Sequence, residues 1–375
     1  MSDSGTVDAP VRPRKRAEFH PLTVRSIHRL TEDSIEVAFA VPAELAGHYD
    51  YLPGQYLALR KAFDGRELRR SYSICAMPTP GEVRVAIKRD LGGEFSTWAN
   101  DSLAPGDVLE VMSPQGTFTT ELGADTAKHF AAIVAGSGIT PIMSLARSAL
   151  AASPHARFSL IYSNRTAQDV MFLEELADLK DRYPSRFALF HVLTREHRNS
   201  DLLSGRVDEE RLSTFLQHLV RPDDVDEWFI CGPFALVQLV RDTLEASGVQ
   251  RNQVHFELFT TDRPDRPSGS HGRSAPVDDG AGVQTITFTL DGRTASVTTP
   301  VHGRETILNA ALRIRSDVPF ACAGGVCGTC RAKLVSGTIN MDENYALEPE
   351  ELERGYILTC QSHPTSDAVT VNYDA

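Results

Sequence analysis

The sequence predicts a multidomain chain: an antiparallel β-barrel, an α/β domain with a parallel sheet, and a small α+β unit. Three observations predict it. Short alternating runs broken by Pro53-Gly54, Pro80-Gly81 and Pro105-Gly106 fill the first third. Continuous apolar runs separated by helical stretches follow from His129. A Pro-, Gly- and Ser-rich segment then leads to a hairpin, a helix and a group of cysteines.

The barrel strands are expected at Thr23–Ile27, Ile35–Val41, Tyr56–Arg60, Arg70–Cys75, Val83–Lys88 and Val108–Met112, with one helix around Phe95 to Leu103. The parallel strands are expected at Phe130–Ala135, Phe158–Tyr162, Phe187–Leu193 and Trp228–Cys231, with Val254–Phe259 closing the sheet. Between them lie helices at Pro141–Ala152, Asp169–Asp181, Val207–Leu219 and Phe234–Ser247, the alternation of a doubly wound domain. Residues 263–282 read as a linker with a coil span of roughly 25 Å. In the last unit Thr285–Leu290, Asp291-Gly292 and Thr294–Thr298 read as a hairpin, and Thr306–Arg313 as a helix. The expected domains are 18–123, 124–262 and 283–375.

Composition narrows the function. Of 375 residues, 38 are basic and 50 acidic, for a net charge of -12, which argues against nucleic acid as the main partner. The N-terminus has no secretory pattern, and the basic cluster Arg12, Arg14, Lys15 and Arg16 reads as a solvated tail. The uncharged stretch Phe130–Ala146 carries Gly136, Gly138 and Pro141, so no membrane span is expected. A cytoplasmic protein follows, in which clustered cysteines bind metal or do redox chemistry.

Cys322, Cys327, Cys330 and Cys360 have the spacing C-x4-C-x2-C-x29-C, the plant-type [2Fe–2S] pattern. Three close thiolates wrap one loop around a cluster and a distant one closes it, while glycines let backbone N–H groups approach the sulfurs. Zinc is the alternative, but its sites usually pair C-x2–4-C knuckles. Cys75 and Cys231 read individually as buried core residues.

Three further motifs point to nucleotides. Arg70 and Tyr72 share one strand face and could hold a pyrophosphate and stack on a planar ring, although an ordinary surface pair has the same spacing. Gly92-Gly93 leads into a helix start with Ser96, which suits a phosphate or, alternatively, an N-cap at Ser96. Gly136-x-Gly138-x-x-Pro141 follows an apolar strand, with Thr140 as a candidate cap; this is a dinucleotide turn or a plain strand–helix turn. Arg165 ends the next strand and favours NADPH over NADH, against which Asp169 stands.

Together, Arg70-x-Tyr72-Ser73, Gly93-x-x-Ser96, Gly136-x-Gly138-x-x-Pro141, Cys231-Gly232-Pro233 and Glu257-x-Phe259 resemble the ferredoxin–NADP reductase family in kind and order. The C-terminal unit resembles a plant-type ferredoxin, whose fold is a β-grasp. The resemblance covers residues from about 19 to the end and points to reductases of multicomponent oxygenases. It implies FAD on the barrel, with Arg70 on the pyrophosphate, Tyr72 on the isoalloxazine, Ser73 near flavin N5 and Ser96 at the pyrophosphate. It implies Cys231 and Glu257 at the nicotinamide–flavin contact and Phe259 near the ring, although the chain continues past Phe259 where plant reductases end. The implied relay runs from NADPH through FAD and [2Fe–2S] to an oxygenase, because a flavin couples two-electron to one-electron carriers. A reductase of a different oxygenase, or a non-catalytic iron–sulfur or zinc protein, are the competing readings. Six acidic residues between Asp342 and Glu353 suggest a solvated helix start rather than a docking face.

Overall fold

The computed structural model describes residues 17–63, 65–196, 200–260, 282–301, 305–315, 318–320, 325, 328–344 and 346–375. The basic N-terminal cluster, the linker up to residue 281, Cys322 and Cys327 lie outside the described residues.

β1 (Phe19–Thr31), β2 (Ser34–Ala40), β3 (Tyr56–Phe63), β4 (Arg66–Ser73), β5 (Glu82–Lys88) and β6 (Val108–Met112) form one antiparallel sheet in the order β4-β3-β6-β1-β2-β5. A bridge between Ile74 and Val85 joins the two edges and closes the barrel. Alternate residues such as Leu22 and Val24, Val37 and Phe39, and Val83, Val85 and Ile87 fill its interior. Helix α1 (Glu94–Ser102) packs Phe95 and Ala99, one turn apart, against that core. Gly93, not Ser96, is its N-cap, because Ser96 already lies within the first helical turn.

The second unit comprises β7 (His129–Ala135), α2 (Ile139–Ala152), β8 (Arg157–Asn164), α3 (Leu173–Arg182), β9 (Phe187–Leu193), α4 (Glu209–His218), β10 (Glu227–Pro233), α5 (Phe234–Ala246) and β11 (Val254–Thr260). Its strands are all parallel, in the order β11-β10-β7-β8-β9. Phe130, Ala132 and Val134 face a core with α2 and α3, while Ala131 and Ile133 face a second core with α4 and α5. Burial on both faces is why these strands read as unbroken apolar runs. The strand order reverses between β7 and β10, which makes their carboxyl ends the expected ligand crevice. α3 starts later than Asp169 because Thr166 and Asp169 form a capping box around a short 3-10 turn, and Phe172 then adopts φ 60°.

The third unit comprises β12 (Val283–Leu290), β13 (Arg293–Pro300), α6 (Ile307–Leu312), β14 (Arg331–Ser336), β15 (Ile339–Met341), α7 (Pro349–Glu353), β16 (Tyr356–Leu358), β17 (Ser362–Pro364) and β18 (Ala368–Asn372). The main sheet runs β13-β12-β18-β14-β16, with β12 and β18 parallel and α6 packed over it, a β-grasp. The hairpin turns on Asp291 (φ 56°) and Gly292 (φ 68°), the left-handed pair that a tight two-residue connection demands. Thr306 caps α6 by accepting from Asn309 N at 3.2 Å. Glu348 and Glu351 form a capping box on α7, and Glu351 pairs with Arg331 at 3.0 Å. Part of the acidic run therefore builds this helix start.

Candidate active site

On β4 the register places Ser73 opposite Tyr56, Tyr72 opposite Leu57 and Arg70 opposite Leu59. Tyr72 is half-buried, its ring 6.0 Å from Phe95 of α1. Burial pushes its hydroxyl pKa up, against the pull of the nearby Arg70 charge, so it stays a neutral phenol. Ser96 Oγ accepts from Asp90 N at 3.0 Å and donates to Gly93 O at 3.3 Å, which folds the 90–96 loop into a tight cradle. A Cβ on Gly93 would sit 2.7 Å from Ser96 Oγ and displace that side chain from its bonds in the loop. A cationic guanidinium, a half-buried ring and a glycine-lined helix start suit the pyrophosphate and ring of FAD.

The second motif lies at the strand-order reversal. Gly136 (φ 55°) turns the chain after β7, and Tyr162 donates to its carbonyl at 3.0 Å. A Cβ on Gly138 would lie 2.4 Å from Cys231 O, so glycine is what lets this turn approach the end of β10. Gly232 (φ 150°) and Pro233 complete the facing turn and lead into α5. Thr140 does not cap α2: the helix already begins at Ile139, and buried Thr140 Oγ1 donates to Ser137 O at 3.0 Å. Pro141 is likewise buried, so both brace the turn from behind. Along the same sheet edge Asn164 Nδ2 is buried without an acceptor among the described residues, an orphaned donor consistent with a nucleotide edge. Arg165 is half-exposed, 2.6 Å from Asp169 and 3.7 Å from Asp33 of the barrel.

These two halves meet. Ser73 Oγ donates to Glu257 Oε2 at 3.3 Å, across 184 residues of chain. Glu257 is in register with Cys231 on the neighbouring strand. Burial, followed by the Glu257 charge, pushes the Cys231 thiol well up, so it stays protonated. Ser73, Cys231 and Glu257 thus converge at one junction. The Phe259 side chain lies outside the described ones. Cys75 is fully buried and donates to Glu36 at 3.5 Å, a core residue as expected.

Sequence reasoning missed a third contact at this junction. Tyr56, paired with Ser73 in the barrel, hydrogen-bonds through its hydroxyl to Thr329 beside Cys330. The guanidinium of Arg69 stacks over Phe320 at 4.5 Å, on the other flank of the cysteine loop. No spacing rule marks such residues, because the contact joins separate units. Cys330 and Cys360 form no disulfide and are buried, and the pairing of Arg331 with Leu358 brings them to one end of the unit. Gln361 Nε2 donates to Cys360 Sγ at 3.7 Å, and Gly325 and Gly328 turn with positive φ. Buried soft thiols, one of them accepting from an amide N–H, suit an iron–sulfur cluster.

Fold and site together define a pyridine-nucleotide-dependent flavoprotein reductase joined to an iron–sulfur domain. The matching families are described as oxidoreductase FAD-binding domain (residues 21–120), oxidoreductase NAD-binding domain (132–242) and 2Fe-2S iron-sulfur cluster binding domain (288–365). The chain is 43% identical over 95% of its length to a subunit of the 1,2-phenylacetyl-CoA epoxidase of Escherichia coli, covering 98% of that protein. It is 32% identical to the ferredoxin reductase component of 3-ketosteroid-9-alpha-monooxygenase of Rhodococcus rhodochrous, over 94% of this chain and 96% of that one. Among solved structures it resembles phthalate dioxygenase reductase, with TM-score 0.58, 25% identity and coverage of 94% and 98%. The chain belongs to the ferredoxin–NADP reductase family, in the branch with a C-terminal plant-type [2Fe–2S] domain. It is an oxidoreductase that uses FAD, NAD(P)H and a [2Fe–2S] cluster. No helix among the described residues is long and apolar enough to cross a membrane.

Proposed function

We propose that this chain is the NADPH-dependent reductase of a phenylacetyl-CoA epoxidase, feeding electrons to its oxygenase component in phenylacetate breakdown. The likeness to the Escherichia coli epoxidase component, spanning nearly both chains, supports that partner. The observation that carries the relay is the convergence on one barrel edge. Ser73 reaches Glu257 of the nucleotide unit, and its cross-strand neighbour Tyr56 reaches Thr329 beside a cluster cysteine.

When bound, FAD exchanges a hydride with the nicotinamide and single electrons with the cluster. The residues position and shield. Arg70 and the Gly93–Ser96 helix start would hold the pyrophosphate, and Tyr72 would cover the ring face. Ser73 Oγ, with its proton directed to Glu257, would sit near flavin N5. Protonated Cys231 and Glu257 would line the nicotinamide side. The turn of Gly136, Gly138, Thr140 and Pro141, facing Gly232 and Pro233, would seat the dinucleotide, with Arg165 at the 2′-phosphate. Phe259 would lie near the ring. Cys322, Cys327, Cys330 and Cys360 would ligate the cluster. The domains of this cytoplasmic protein would run 18–123, 124–262 and 283–375, with 263–282 as the tether.

The test is NADPH oxidation with and without the epoxidase oxygenase component and phenylacetyl-CoA. Product-coupled oxidation is expected. Reduction of artificial acceptors with no coupling to that oxygenase would keep the relay and discard the partner.

A further inference from the structure

Glu18, His20 and His48 meet at the flavin barrel, and none of the three is assigned to FAD, nucleotide or cluster. Glu18 Oε2 lies 3.4 Å from His48 Nδ1 and 3.8 Å from His20 Nε2. All three ligand atoms fall within 4.8 Å of one another. The donor–donor edge of a tetrahedral zinc site is about 3.3–3.5 Å, given metal–ligand distances near 2.0–2.1 Å. Side-chain adjustments of about an ångström would therefore close the three donors on one cation.

The ring of His20 is held for this. Tyr49 Oη donates its proton to Val111 O at 2.7 Å and lies 3.4 Å from His20 Nδ1. Nδ1 is thus engaged within the fold, and Nε2 is the nitrogen that faces Glu18. A ligating histidine anchored through its other nitrogen is the usual support for a metal site. Tyr49 is nearly fully buried, and the backbone of His20 pairs with Val111 in the barrel ladder, so this support is rigid. His48 is exposed, after a short 3-10 turn, Ala43–Leu45.

We propose that Glu18, His20 and His48 form a zinc site, two imidazoles and one carboxylate, with Tyr49 orienting His20. Imidazole donors favour zinc over ferrous iron by the general order of affinities. The ion would tie the 43–48 loop to β1.

The test is zinc titration of untagged, fully loaded holoenzyme, in which the cluster cysteines are occupied. Competition with a chromogenic chelator is expected to show one zinc per chain. His48→Ala, an exposed loop change that spares folding, should weaken binding at least 100-fold, and Tyr49→Phe about 10-fold. Cu2+ added instead should give an electron paramagnetic resonance signal with nitrogen hyperfine structure that simplifies in His48→Ala. No zinc beyond buffer background, or zinc binding unchanged in His48→Ala, would overturn the site.

Discussion

Arg165 shows how much a single side chain can owe to its surroundings. Its guanidinium pairs with Asp169, whose carboxyl burial pushes up but whose hydrogen bonds from Thr166 and Arg165 hold it down overall. The arginine is thereby held just past the carboxyl end of β8. Arg165→Ala is expected to raise KM for NADPH about 10- to 100-fold and leave NADH little changed, in line with the loss of charged hydrogen bonds. Steady-state kinetics with both coenzymes check this; equal losses would remove Arg165 from the 2′-phosphate. Glu257 accepts from Ser73, and Glu257→Gln should lower NADPH-driven ferricyanide reduction by about 10-fold or more while FAD content holds. A rate within a factor of two of wild type would dismiss the Ser73–Glu257 contact as structural only. Arg165 was legible from its place at a strand end, and Ser73, Cys231 and Glu257 were legible only through the family resemblance, since Cys231 alone reads as a core residue. Tyr56 and Arg69 were not, since nothing local distinguishes them from other barrel residues.

At the scale of elements, the turn after β7 depends on backbone proximity. Gly138→Ala would force a methyl against the Cys231 carbonyl, and overpacking of this kind costs about 1–3 kcal/mol. Chemical denaturation should show that loss, together with weaker nucleotide binding. The first strand of the sheet is also tied to β10 by charge. Glu227 accepts from Lys128 at 2.6 Å and His255 at 3.1 Å. Burial pushes its carboxyl up, yet these two bonds outweigh it and hold the pKa at about 2. A depressed carboxylate adds stability above its unfolded pKa, about 4.5, and loses it as pH falls through about 2. The amount is on the order of 2–3 kcal/mol. Glu227→Gln should therefore flatten the fall in stability between pH 4.5 and 2, read by denaturant midpoints across that range. An unchanged slope would mean another group controls acid unfolding. Strands and helices were placed well by pattern because burial on one face, or on both, leaves a periodic trace. Caps were placed less well: Thr140 and Ser96 each fall inside the first turn, where the preceding glycines already set the chain's direction.

For the whole molecule, the relay needs the iron–sulfur unit both at the barrel and at its partner. Cys330→Ser should abolish reduction of cytochrome c and of the oxygenase through the cluster while sparing ferricyanide reduction directly at the flavin. Loss of both activities would instead point to misfolding of the barrel. Trimming residues 263–282 to a few residues should slow oxygenase-coupled turnover several-fold with ferricyanide reduction intact, if the iron–sulfur unit visits both sites on this segment. Unchanged coupled turnover would show that the segment's length is not needed.

By itself the sequence determined the three kinds of domain, and it marked the cysteine set and the glycine turns as candidates. Each of these is local chemistry written at short spacing: alternation, apolar runs, glycines where a side chain cannot fit, thiols a few residues apart. Only the tertiary structure decided which residues meet. It paired Ser73 with Glu257, Tyr56 with Thr329, and His20 with His48 and Tyr49. Such contacts depend on how separate elements are folded onto one another, and a linear pattern carries no distance between them.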